Sequence, residues 1–346
     1  MTIIVQDQIV TRAENLSRIQ ALIDGDYLPG AKRRGLQPVS MEVSPPVATS
    51  NAPLTLWVRW SLADSNAFWA MRAQSATPDV TAFWQALDEL CISRRRTYLM
   101  PTGEAGPLSV PAVDAPATNV ALYRETAQLA LRPEDDGQAL AAVLAQAAGQ
   151  LPGVVQSSLG QNLAPEYAAG HFTWDIVYES RQAAEAAQSS PFWQEQLAPA
   201  LGAHCDAVHA LALDHINGGL REPGLKQGLK RTAFFRLLPG VETETAQRYE
   251  RDLLDMPLHI PAIRNWRLSR AIPAAWHRAD VSPWTYVWEQ EFSDLDGLTG
   301  PYMAHPHHWS YIDRWFDPES GDQIADVQLS HAFSFVEASV LSRELG

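Results

Sequence analysis

An α+β fold built from tandem β-α-β-β-α-β units is predicted by three observations. Two Pro/Gly-rich stretches cut the chain into segments of about 100 residues, which prompts a search for repeats. Strand-like and helix-like patterns then recur in the same order within the segments. Prolines also fall at nearly constant offsets: Pro133 with Pro239, Pro152 with Pro261, and Pro191 with Pro306.

The first segment, residues 1–101, is the loosest copy. Ile3 to Val10, Val39 to Val43 and Leu54 to Trp60 alternate like strands. Ala13 to Ile23 and Val80 to Ile92 space their apolar residues like helices, and Thr97 to Met100 is the candidate for a fourth strand. Residues 102–118 are rich in Pro and Gly and read as a linker. The middle copy, 119–216, opens with a strand from Val120 to Leu131 and an alanine-rich helix from Gln138 to Leu151. Strands follow at Val154 to Leu159 and His171 to Tyr178, then a helix from Arg181 to Leu201 and a last strand from Cys205 to Leu213. Residues 217–229 read as a second linker. The last copy, 230–341, has strands at Thr232 to Leu238, Ile263 to Ser269, Trp284 to Phe292 and Val327 to Phe335. Its helices are expected over Glu242 to Asp255 and over Leu298 to Phe316, the latter interrupted by Pro306. Each copy thus follows the split βαβ, or ferredoxin-like, order.

Composition narrows the functional classes. The net charge of −14 over 346 residues argues against a nucleic-acid partner. No run approaches the ~18 apolar residues of a membrane helix, and the N-terminus shows no signal-peptide pattern. Cys91 and Cys205 cannot form a disulfide framework, so a cytoplasmic location is expected. The twelve tryptophans serve as core anchors or line an aromatic pocket. Gly-rich nucleotide loops and the serine-hydrolase elbow are not found.

The chemistry-bearing stretch is Pro301-Tyr302-Met303-Ala304-His305-Pro306-His307-His308-Trp309. All ten histidines lie at or after His171, and three are here. Histidine titrates near neutral pH and is the commonest metal ligand. Setting Pro191 on Pro306 places Phe192-Trp193 on His307-His308, and the first copy has Phe83-Trp84. Exchanging aromatics for imidazoles sacrifices apolar burial, which points to function in the last copy. His308 is the candidate general acid–base, against a packed, hydrogen-bonded imidazole; Tyr302 and His305 are its candidate partners. Tyr302 could equally be a core tyrosine, and His305 the end of a helix before Pro306. His307 is expected to face solvent. Tyr286 and Trp288 share a strand face and either line the interior or pack under a helix. Arg231, Arg270, His331 and His209 are candidates for binding substrate, the arginines and His331 through an anionic group. No metal is expected, since Pro306 disturbs the His305/His308 spacing and no carboxylate lies within the motif to complete a ligand set.

Arg231 to Val336 resembles the stress-responsive A/B barrel (Dabb) family. The resemblance rests on Leu237-Leu238-Pro239-Gly240, Trp284-Thr285-Tyr286-Val287, Phe292-Ser293-Asp294-Leu295-Asp296 and the His305-Pro306-His307-His308 element; Val177-Tyr178-Glu179-Ser180 extends it weakly to the middle copy. It implies two ferredoxin-like units packed sheet to sheet as an α+β barrel. The middle and last copies would pair within the chain, and the first, degenerate copy would pair with another subunit, giving a homodimer. Members include a polyketide cyclase that works without cofactor; its histidine and tyrosine match His308 and Tyr302. Two further family histidines fall on Tyr286 and near Arg231, where this chain departs. The expectation is a cofactor-independent lyase, of decarboxylase or elimination type, acting on a small aromatic or polyketide-like compound in the barrel interior. A cyclase or isomerase, a non-catalytic stress or ligand-binding barrel, and a haem-dependent aldoxime-dehydratase-like enzyme are the alternatives.

Overall fold

A computed structural model describes residues 2–47, 52–103 and 121–345. The expected first linker lies mostly outside the described residues. Two units partition the chain: Met1–Val110 with Gly300–Val327, and Pro111–Thr299 with Gln328–Gly346.

In the first unit, β1 (Ile3–Thr11), α1 (Leu16–Leu22), α2 (Leu28–Arg33), β2 (Gln37–Ser44), β3 (Leu54–Leu62), α3 (Ser65–Arg72), α4 (Pro78–Asp88) and β4 (Cys91–Leu99) form a four-stranded antiparallel sheet, ordered β2-β3-β1-β4. This is the ferredoxin-like order. Strict alternation in β1 and β3 buries Ile3, Val5, Ile9, Leu56, Val58 and Trp60 on one face. The expected helix to Ile92 stops at Asp88, and the fourth strand begins at Cys91 rather than Thr97, pairing with β1 along its whole length. Helix α3 was not expected; Asp64 caps it, accepting from Ala67 N at 2.9 Å.

The second unit contains β5 (Tyr123–Leu131), α5 (Gln138–Leu144), α6 (Ala147–Gln150), β6 (Val154–Gln161), β7 (Phe172–Tyr178), α7 (Arg181–Gln188), α8 (Ala198–His204), β8 (Cys205–Leu220), β9 (Lys226–Phe235), α9 (Thr243–His259), β10 (Asn265–Pro273), β11 (Tyr286–Phe292) and β12 (Ser330–Ala338). Its eight strands run β12-β9-β11-β10-β8-β5-β7-β6, two ferredoxin-like sheets joined by β8 pairing with β10. The sheet curls until its ends meet: Leu163 N, just past β6, donates to the Phe333 carbonyl of β12 at 2.8 Å. The middle and last copies therefore form one α+β barrel. The linker expected at 217–229 is largely strand. Gly218 and Gly219 belong to β8, and a Cβ on Gly219 would overlap the Trp266 indole that lies across it.

The last copy's second helix is also different. Pro301 and Pro306 remove amide donors from it, and the chain makes wide turns over Leu298–Tyr302 and His307–Ile312, then a tight one over Asp313–Trp315. Residues 300–327 belong to the first unit, although the repeat pattern placed them with 230–341. Trp309 lies in one core with Phe68, Phe83 and Trp84, its ring 5.5 Å from Phe68. Trp309 thus supplies the buried aromatic that the repeat alignment had assigned to the His308 position. Among the described residues no helix is long and apolar enough to cross a membrane.

Candidate functional site

In the first unit, the segment after Pro301 is held by polar contacts as well as by Trp309. Trp69 of α3 donates its indole N–H to the Met303 carbonyl at 2.9 Å, and Arg72 pairs with Asp313. Glu319, fully buried, accepts from Arg34 Nη1 (2.5 Å), Tyr27 Oη (2.5 Å) and Trp84 Nε1 (3.0 Å), with Arg96 Nη1 at 3.0 Å. Burial alone would raise its carboxyl pKa, but Arg96 and Arg34 hold it down to about 2.

On this platform the Tyr302 and His308 rings lie 4.2 Å apart at 38°, and Trp69 flanks the imidazole at 4.9 Å. His308 Nδ1 is 3.2 Å from the Tyr302 carbonyl oxygen. A carbonyl only accepts, so Nδ1 carries a proton. Tyr302 is buried and His308 half-buried. The tyrosine therefore acts on the histidine through its ring and its backbone. His305 is differently employed: its Nδ1 accepts from His307 N at 3.2 Å and its carbonyl from His308 N at 3.0 Å, fixing the turn that presents His308. His307 is half-buried against Tyr311 rather than simply solvent-facing.

The other predicted residues lie in the second unit, and the barrel sorts them by face. Its interior carries a buried charge network. Arg124 bridges Asp175 (2.7 Å) and Glu289 (2.5 Å), and Lys230 reaches the same two carboxylates at 2.9 and 2.8 Å, all buried. Burial alone would push Asp175 up, yet Lys230 and Arg124 hold it well below the usual carboxylate range. The inward face also carries an apolar cluster of Phe234, Trp284, Leu211 and Val287, with the Phe234 and Trp284 rings 5.9 Å apart, so the interior is part charged and part aromatic. Tyr286, Trp288, Arg231, Arg270 and His331 project from the opposite face, because side chains alternate along a strand and Lys230, Thr232 and Glu289 take the inward positions. Tyr286 Oη donates to Glu250 Oε1 of α9 at 2.7 Å, and Arg270 Nη2 donates to the same oxygen at 2.8 Å. Burial and then Glu250 push the Tyr286 hydroxyl up to about 12. Arg231 donates from Nη1 to Gln290 Oε1 at 2.8 Å, and its Nη2 lies 2.6 Å from His331 Nδ1. His209 alone is on the inward face, across from Gln128, where it accepts from Trp284 Nε1 at 3.2 Å.

Sequence reasoning missed Trp69, Glu250 and Gln290. Gln290 could have been found, since it stands two residues from Trp288 on the same strand face. Trp69 sits on the helix that was not expected. Among the described residues no group of three or more His, Cys, Asp or Glu is arranged to hold a metal ion.

Residues 229–325 match the family model of the Stress responsive A/B Barrel Domain. No curated protein matches the chain. Among solved structures, an anthrone oxidase-like protein aligns at 10% identity and a TM-score of 0.48, covering 63% of this chain and 92% of its own. A candidate monooxygenase from Fusobacterium nucleatum aligns at 11% identity and a TM-score of 0.42, covering 63% and 93%. A NIPSNAP family protein from Agrobacterium tumefaciens aligns at 18% identity and a TM-score of 0.25, covering 32% and 100%. Likeness this distant carries no argument about activity. Motif and family model agree over residues 229–325, where the chain is similar to the stress-responsive A/B barrel domain.

Proposed function

We propose that this protein is a cytoplasmic, cofactor-independent lyase of the decarboxylase or elimination type, acting on a small aromatic or polyketide-like compound, with His308 as the proton carrier. The observation that supports it is the 3.2 Å contact from His308 Nδ1 to the Tyr302 carbonyl, which keeps a proton on Nδ1 and leaves Nε2 as the nitrogen to exchange one with substrate. In an elimination, Nε2 takes a C–H proton while the leaving group departs. In a decarboxylation, Nε2 takes the proton of the carboxylic acid, the C–C bond breaks to release carbon dioxide, and the imidazolium delivers that proton to the carbon left behind. Tyr302 and Trp69 hold the ring plane between them, and His305 sets the turn.

The test is a screen of aromatic carboxylates and phenols for loss of carbon dioxide or water by purified protein with no added cofactor, repeated with His308→Ala. Turnover that falls ~10²–10⁴-fold in the variant supports proton transfer by this residue. Full turnover in His308→Ala sinks the assignment, and binding without turnover in the wild type identifies a ligand-binding barrel instead.

A further inference from the structure

We propose that Asp317 is the proton-operated switch of a latch, and that the latch holds the histidine-bearing segment in the first unit more firmly as the solution turns mildly acidic. The segment, Gly300–Val327, belongs to the first unit, while the chain on either side of it belongs to the second. Its anchorage is an ion cluster that is one cation short among the described residues. Four buried carboxylates, Asp7, Asp313, Asp317 and Glu319, face three guanidinium groups, Arg34, Arg72 and Arg96. Each guanidinium is committed elsewhere than to Asp317. Arg96 Nε donates to Asp7 at 2.7 Å, and Glu319 takes Arg34 and shares Arg96. Arg72 gives Nε and Nη2 to Asp313 and Nη1 to Ser75. Asp317 is left with Arg72 Nη1 at 3.6 Å, beyond hydrogen-bond reach. Arg94, the next cation, is paired with Asp88.

Asp317 is 0% exposed. Its Oδ1 accepts from Glu319 N at 3.0 Å, and its Oδ2 accepts from Tyr98 Oη at 3.3 Å. A buried carboxylate without a close counter-charge is costly. A proton on Oδ2 removes the excess charge and reverses the contact to Tyr98, whose hydroxyl accepts as readily as it donates. The charged and titratable groups that face Asp317 are Arg72 of α3, Arg96 and Tyr98 of β4, and Asp313 and Glu319 of its own segment. Burial pushes its carboxyl up to about 6; Arg72 and Arg96 pull it down, and Glu319 and Asp313 push it further up. That value lies above the ordinary 3.8, so docking of the segment takes up a proton. The contribution is complete below pH 3.8 and is lost as pH rises through 6. From pH 7 to pH 5 the ratio of docked to undocked segment rises roughly tenfold. Glu319 opposes this only below pH 4.5, where its own contribution starts to be lost.

Tyr302 and His308 stand on the latched segment, but the latch does not depend on what they do, and its failure leaves the lyase reading untouched. The experiment is hydrogen exchange with mass spectrometry on the full-length protein at pH 7, 6 and 5, reading the protection factor of the peptide 309–320. A local readout is needed because His209 in the second unit titrates in an overlapping window with the opposite sign. Protection of this peptide is expected to rise roughly tenfold between pH 7 and pH 5. Asp317→Asn keeps the shape and the acceptor for Glu319 N without the charge. It should show the high protection already at pH 7 and no slope. Asp313→Asn frees Arg72 for Asp317, so it should flatten the slope while lowering protection throughout. Wild-type protection that stays level or falls toward pH 5 overturns the proposal. So does a slope that survives in Asp317→Asn, since that variant carries the same histidines and the slope would then be theirs.

Discussion

Replacing Glu319 with alanine tests how the histidine-bearing segment is held in the first unit. The carboxylate is fully buried, and the side chains of its partners Arg34 and Arg96 are 4% and 0% exposed. Glu319→Ala would strand two guanidinium groups with one fewer counter-charge, and leave the Tyr27 hydroxyl and Trp84 indole without their shared acceptor. Removing one partner of a buried ion pair costs about 3–5 kcal/mol. For a unit of this size that lowers its melting temperature by roughly 6–20 °C. Glu319→Gln keeps an acceptor of the same shape and should lose about 1.5–3 kcal/mol. The pH dependence has a definite sign. The folded pKa of Glu319 is depressed from 4.5 to about 2, so its contribution is present above pH 4.5 and is lost as pH falls toward 2. Tryptophan fluorescence during thermal and urea unfolding reports the transition, since Trp84 lies under Arg94 and Arg96. A Glu319→Ala protein that melts with the wild type would refute the reasoning.

Two further outcomes are expected. His209 is depressed from 6.5 to about 4 by burial first and then by His277 and Arg236, so the stability it contributes is full above pH 6.5 and lost as pH falls toward 4. His209→Gln should flatten that part of the urea-midpoint profile, and an unchanged slope between pH 6.5 and 4 counts against it. We also propose a homodimer through the first repeat, whose sheet buries one face and leaves Ile4, Val10 and Trp57 half-exposed on the other. Light scattering should give twice the chain mass of 38.2 kDa, and Trp57→Glu should shift it toward one; a wild-type monomer contradicts the proposal.

Much of the architecture was legible because hydrophobic periodicity reports local structure. The alternation in β1 and β3 and the apolar spacing of α4 and α9 each follow from which face is buried. What the pattern could not report is which core a segment joins. Residues 300–327 carry the spacing of the last repeat, yet Trp309, Asp313 and Glu319 are taken up by partners about 240–285 positions earlier: Phe68, Arg72 and Arg34. Such pairings leave no local trace, because Arg34 and Arg72 look like ordinary surface charges in sequence. Strand faces were legible only as alternatives. Tyr286 and Trp288 shared a side, but it was Lys230 pairing with Asp175 and Glu289 that assigned the interior to the other side. The glycines at 218–219 read as a linker, yet Gly219 serves to admit the Trp266 ring, a contact made only in the folded sheet.

Proton transfer by His308 is put to the test by measuring kcat of the His308→Ala protein on an aromatic carboxylate or phenol that the wild type consumes without added cofactor. A fall of ~10²–10⁴-fold with the melting transition unchanged is the predicted result. Wild-type turnover in His308→Ala would contradict it.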